Sequence, residues 1–222
     1  PLVLRTKVAM GTGYGSQHSM DPSGLFALWP GWRVIVPTTP FDYIGLFNSA
    51  INCDDPVVII ETQTLFQEEG QVPANDLDYC IPFGKARIVR PGSACTILAS
   101  GHMAQHSIAA AEQCGIDAEV IDPRTVDPES LDWQTIGDSV KRTNRLLVAE
   151  QTARGPPLGA HIVQEGQERL FDYLDHQILR VTGSQSAPVV SRILEQAALA
   201  GVEEVVTGLT ALMRGSAPEA AE

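Results

Sequence analysis

Apolar residues follow two patterns along this chain. The runs VIVP (34–37) and PVVIIE (56–61) are apolar at consecutive positions, whereas the stretch between them spaces Phe41, Ile44, Phe47 and Ile51 as one helix face. Runs apolar on both faces suit parallel strands that helices cover on each side of the sheet, so this region predicts strand, helix, strand. The opening PLVLRTKVAM alternates as a further strand. Residues 67–93 then lose all periodicity and collect Pro73, Pro82, Gly84, Pro91 and Gly92, which reads as a linker crossing to a second unit, with the boundary near residue 85.

Beyond it the pattern restarts. Strands ACTILAS, AEVIDP, RLLVAEQ and ILRVTG alternate with helices over 102–115, 128–143 and 158–171, and a Gly/Pro loop precedes the last of these. Four strands interleaved with helices predict a parallel or mostly parallel sheet, making the fold class α/β. Asp127, Pro128 and Glu129 carry an N-cap signal for the second helix, and Lys141 and Arg142 fall in its last turn, where cations complement the helix dipole. A final helix, VEEVVTGLTALMRG, leads to a small polar tail. The expected layout is one unit over 1–84, a second over 85–214 and a tail over 215–222.

Composition narrows the partners. The 222 residues carry 27 acidic and 15 basic side chains, a net charge of −12, which repels phosphate backbones and anionic headgroups; neither nucleic acid nor a membrane surface is expected as a partner. No apolar run approaches the ~18 residues that span a bilayer. The chain begins without Met and enters directly on a strand, so it is expected to be cut from something longer. Cys53, Cys80, Cys95 and Cys114 form no CxxC pair, which argues against a zinc or redox motif and leaves a reducing cytoplasm as the default compartment.

The richest candidate chemistry lies in GTGYGSQHSM, residues 11–20. Its glycines at 11, 13 and 15 miss the dinucleotide fingerprint, because Ser16 stands where the third glycine belongs and no amphipathic helix follows. It reads instead as a flexible loop presenting His18, between polar Gln17 and Ser19, as a group able to exchange protons near neutral pH, or simply as a hydrogen-bonded loop histidine. His102 and His106 share a helix face without the glutamate of HExxH, and His161 and His176 stand singly. GxSxG and P-loop motifs are absent. Adjacent acids at 54/55, 68/69 and 203/204 read as solvated pairs, although the turn Asn52–Pro56 could hold a hard cation on carbonyl oxygens.

In order, the blocks GTGYGSQHS, WPGWRVIVPTTPFDYIGLFNSAI, DDPVVIIE, VPANDLDYCIPFGKARIVRPGS, TILASGHMAQHSIAAAE, AEVIDPRTVDPESLDWQTIGDSVKRTNRLLVAEQ and FDYLDHQILRVTG resemble the beta subunit of thiamine diphosphate-dependent 2-oxo acid dehydrogenases, from Leu2 to about Leu212. The resemblance implies part of a transketolase-like pyrimidine-binding domain followed by a transketolase C-terminal domain. It implies that His18 lines the active-site funnel and helps position the acyl intermediate and incoming lipoyl group, with Tyr14 and Gln17 beside it. It further implies thiamine diphosphate with a divalent metal such as Mg, bound mainly by an alpha subunit or alpha half. A monovalent cation, potassium, would sit on main-chain oxygens of Leu2, Ala50, Cys53 and Asp55.

The resemblance also implies self-association and a lipoyl acyltransferase core as partner, with a cytoplasmic or, in a eukaryote, mitochondrial matrix location. The family's acid that bonds the aminopyrimidine ring has no counterpart in this chain, so the chain alone is expected to be inactive. The usual QHSQ with its following Leu-Glu is replaced by His18, Ser19, Met20, Asp21, Pro22 and Ser23, and SQSAPVVS replaces the Pro-Tyr stretch after RVTG. Two other readings compete: an acetoin dehydrogenase beta subunit, and a non-catalytic module whose Glu203 and Glu204 dock a basic domain of the core. Sugar phosphate chemistry is disfavoured, because Arg5, Lys7 and Arg33 are the only cations near the loop.

Overall fold

The computed structural model describes residues 1–151 and 158–215; the Gly/Pro loop before the 158–171 helix and the tail beyond residue 215 lie outside the described residues. Two sheets carry the fold. In the first, β1 (Leu2–Val8), β2 (Arg33–Ile35) and β3 (Pro56–Thr62) run parallel in the order β1-β3-β2. The helix α1 (Ser23–Ala27) precedes β2, and α2 (Pro40–Ile51) crosses over from β2 to β3. Thr39 caps α2 by accepting the Asp42 N–H at 3.2 Å, and Pro40 fits the first turn, where no N–H is needed.

The second sheet contains β4 (Arg87–Arg90), β5 (Cys95–Ala99), β6 (Ala118–Asp122), β7 (Leu146–Ala149) and β8 (Leu179–Val181) in the order β4-β6-β5-β7-β8. All its pairings are parallel except that of β4, an antiparallel edge against β6. Residues 87–90 are therefore a strand rather than linker. Its helices are α3 (His102–Cys114), α4 (Trp133–Thr143), α5 (Leu158–Leu170), α6 (Arg192–Ala198) and α7 (Val202–Arg214). The second of these starts later than its sequence signal: Asp132, not Asp127, caps α4, accepting the Thr135 N–H at 3.1 Å. Asp127 is committed elsewhere, to the Val34 N–H at 3.0 Å and the Ser130 N–H at 3.1 Å, so it closes an isolated turn.

Three apolar clusters form the core. One packs α2 on the first sheet through Leu46, Ile35, Val57 and Ile59, and another packs α3 and α7 on the second through Met103, Ala110, Leu147 and Leu209. The third joins the units, bringing Val34, Val58 and Ile60 against Leu98, Ile121, Ile136 and Val148. Polar contacts stitch the same seam. The Arg124 guanidinium donates to buried Asp42 on α2 at 2.7 and 2.8 Å, and the Val36 N–H donates to the Arg124 carbonyl at 2.8 Å. No helix among the described residues is long and apolar enough to cross a membrane.

Candidate active-site loop and interdomain cavity

The loop between β1 and α1 is built by glycines. Gly11, Gly13 and Gly15 take φ of +81°, +85° and +69°, which L side chains rarely adopt. At Gly13 a Cβ would also lie 3.0 Å from the Val190 carbonyl oxygen, so backbone from the second unit packs directly on the loop. The turn closes through the Ala9 N–H donating to the His18 carbonyl at 2.7 Å and the Ser19 N–H to the Gly15 carbonyl at 2.9 Å.

This geometry leaves the His18 ring in solvent, with Tyr14 edge-on at a centroid distance of 5.6 Å and Lys7 Nζ 5.7 Å from the Tyr14 ring centre. Gln17 is exposed beside them. An imidazole held by its backbone, with both ring nitrogens free of protein partners among the described residues, suits proton exchange with an incoming group.

Behind the loop, a partly open cavity of about 50 Å³ sits at the carboxyl ends of strands from both sheets, among Val8, Thr62, Ala99, Gly101, Asp21 and Glu150. Burial raises the Asp21 carboxyl above the ordinary range, opposed by the Ser23 N–H at 2.8 Å. Burial likewise raises Glu150, opposed by Arg180 at 2.9 Å and the Gly159 N–H at 2.8 Å. Sequence marked Asp21 only as a departure from the family motif and did not mark Glu150, because a lone carboxylate at a strand end or in a loop carries no periodic signal.

His102 contacts Thr64 Oγ1 through Nδ1 at 3.2 Å and lies against His106, the rings tilted by 44° at a centroid distance of 4.1 Å. Burial lowers both, taking His106 down to about 4 with help from its neighbour. Among the described residues no group of three His, Cys, Asp or Glu side chains could hold a metal. Glu203 and Glu204 each have a partner within the chain: Glu203 accepts from Gln113 of α3 at 3.0 Å, and Glu204 accepts the Gly201 N–H at 2.8 Å, closing the start of α7.

At the end of α2, the turn places Ala50, Cys53 and Asp55 within six positions, and β1 sets Leu2 opposite Pro56. The Ala50 carbonyl accepts the Cys53 N–H at 3.3 Å, and Arg33 holds the Asp55 carboxylate at 2.9 Å.

Comparison with known proteins assigns the two units. The transketolase pyrimidine-binding domain matches residues 1–68 and the transketolase C-terminal domain residues 84–205. The chain belongs to the transketolase family. The chain is 35% identical over 210 residues to the beta subunit of acetoin:2,6-dichlorophenolindophenol oxidoreductase from Bacillus subtilis, covering 93% of this chain and 60% of that one. Against pyruvate dehydrogenase E1 component subunit beta-1 of Oryza sativa subsp. japonica the identity is 37%, over 93% and 56%. Against 2-oxoisovalerate dehydrogenase subunit beta of Pseudomonas aeruginosa it is 36%, over 82% and 56%. The chain thus spans little more than half the length of these relatives. A solved structure titled split gene transketolase, inactive beta4 tetramer, superposes with a TM-score of 0.73 at 20% identity, covering 96% of this chain and 67% of that one, and supports the fold.

Proposed function

We propose that this chain is the beta portion of a thiamine diphosphate-dependent 2-oxo acid dehydrogenase, which decarboxylates a 2-oxo acid and passes the acyl group to lipoamide. The observation that carries the reading is His18, exposed on a glycine-built loop at the seam of two transketolase-family domains, in a chain about 35% identical to dehydrogenase beta subunits. His18 exchanges a proton with the acyl or lipoyl group, and Tyr14 and Gln17 flank its approach.

The chain alone does not fit the cofactor. Its cavity of about 50 Å³ at the strand ends is far below the ~300 Å³ of a small-ligand pocket. Its open groove of about 480 Å³ sets Asp55, Glu129 and Asp132 against the single cation Arg33, the wrong charge for a diphosphate. The diphosphate and its Mg therefore fall to an alpha subunit or alpha half. A potassium ion on the main-chain oxygens of Leu2, Ala50, Cys53 and Asp55 is part of the same proposal, as are a lipoyl acyltransferase core as partner and a cytoplasmic or matrix setting.

In the enzyme assembled with its alpha partner, His18→Ala should lower acyl transfer to lipoamide by ~10²-fold or more while decarboxylation with an artificial acceptor is retained. Unchanged transfer overturns the assignment. Running pyruvate, branched-chain 2-oxo acids and acetoin in parallel identifies the substrate among those the relatives' names carry.

A further inference from the structure

Helix α6 is built inside out. Ile193 and Leu194 face solvent at 79% and 61% exposure, while the one buried position of the helix is a carboxyl, Glu195, at 1%. One Glu195 oxygen accepts the Gly13 N–H at 2.5 Å across 182 positions of sequence, and the other is buried with no partner among the described residues. Glu195 also lines a cavity of about 20 Å³ with Met10, Ser19 and Ser186, room for a single water. Burying a half-satisfied carboxyl costs more than an apolar side chain would, so helix packing alone does not account for it.

What the carboxyl grips is the loop of His18. The neighbouring contacts converge on the same loop: Gln196 Nε2 donates to the Gly11 carbonyl at 3.2 Å, and Ser16 Oγ to the Pro188 carbonyl at 3.2 Å. We propose that Glu195 is a positioning residue, through which the C-terminal domain clamps the Gly13 amide and fixes where His18 is presented to the acyl-accepting group. The proposal rests on the reading of His18 given above.

The test is hydrogen exchange with mass spectrometry on the full-length chain assembled with its alpha partner, with decarboxylation and acyl transfer assayed on the same samples. In Glu195→Ala, exchange over residues 11–19 should rise about tenfold or more while β5 to β7 stay protected, as expected for loss of one buried hydrogen bond. Acyl transfer should fall about tenfold with a raised KM for the lipoyl substrate, decarboxylation should hold, and Glu195→Gln, which keeps an acceptor oxygen, should restore both readouts. Unchanged exchange over 11–19 overturns the proposal. Faster exchange with unchanged acyl transfer overturns the positioning role of Glu195, while loss of the His18 reading itself shows separately as unchanged transfer in His18→Ala. If Glu195→Ala loosens the whole chain, Glu195→Asp, which withdraws the carboxyl by one methylene, is read by the same criteria.

Discussion

In the second sheet, strands β5, β6 and β7 are buried at every position, and β4 finishes one edge in antiparallel register. In the first, β3 is buried but edge strand β1 leaves Leu2 and Leu4 56% and 38% exposed. Both sheets are wired the same way, strand to helix to parallel strand. The difference lies in what covers them. The second sheet has helices from its own domain on both faces, whereas the first has α2 on one face and, on the other, the short α1 beside residues of the other domain. Parallel strands need both faces covered, so the seam between the units is a core of the molecule as much as a boundary.

The seam can be broken most directly at its buried ion pair. Among the described residues, Arg124→Ala leaves Asp42, which is fully buried, with Arg87 at 3.4 Å and the Thr39 hydroxyl at 2.6 Å. Removing one partner of such a pair should cost about 3–5 kcal/mol in denaturant unfolding. A loss under about 0.5 kcal/mol, the level of an ordinary surface change, would mean that the pair does not hold the units together.

A pair of leucine truncations sharpens the contrast. Leu98→Ala empties a site in the shared core and should cost about 2–5 kcal/mol, while the same change at Leu4 on the exposed edge should stay within about 0.5 kcal/mol. Equal losses at the two sites would erase the distinction between a covered and an open sheet.

A further effect is pH-dependent. Burial pushes the Asp122 carboxyl, at the end of β6 beside the seam, up to about 6 from 3.8. The folded state therefore keeps a proton that the unfolded chain has already released, and the stability this group contributes is lost as pH climbs from about 4 past 6. Asp122→Asn keeps an acceptor for the Arg124 N–H, which lies at 3.0 Å, and removes the ionisation. Thermal unfolding at pH 8 should show it more stable than wild type by up to about 3 kcal/mol, with the gain vanishing near pH 3. A gain that persists at pH 3 would assign the effect to something other than this proton.

Much of the fold was legible because periodicity reports directly on which faces are buried. The runs VVII and TILA read as covered strands, since nothing outside those segments was needed to see the pattern, whereas Phe41 to Ile51 read correctly as a helix but on the wrong face: α2 buries Asp42, Gly45, Leu46 and Ala50 and leaves Ile51 55% exposed. Strand β4 was not legible: Arg87 and Arg90 bracket two apolar residues next to a Pro-Gly pair, and only pairing with β6 makes a strand of them. Nor was α6, whose apolar residues point outward and so imitate a loop. Asp127 looked like a helix cap because its sequence neighbours fit one, but its carboxylate goes instead to a strand about ninety residues away.

The candidate site divides along the same line. Glycine at 11, 13 and 15 followed by Gln17 and His18 marks a backbone that must turn sharply before a titratable ring, and that requirement is local. The clamp on the loop is not local. Glu195 has no distinguishing neighbours along the chain, and its meaning arises from an approach across 182 positions. Sequence by itself determined the alternation of strands and helices, the acidic balance and the loop that carries His18, because these depend on side-chain period, charge and backbone freedom within a few residues. Only the tertiary structure decided which carboxyls are buried, which cations meet them and what holds the loop. Those outcomes depend on desolvation and distance between segments that sequence order keeps far apart.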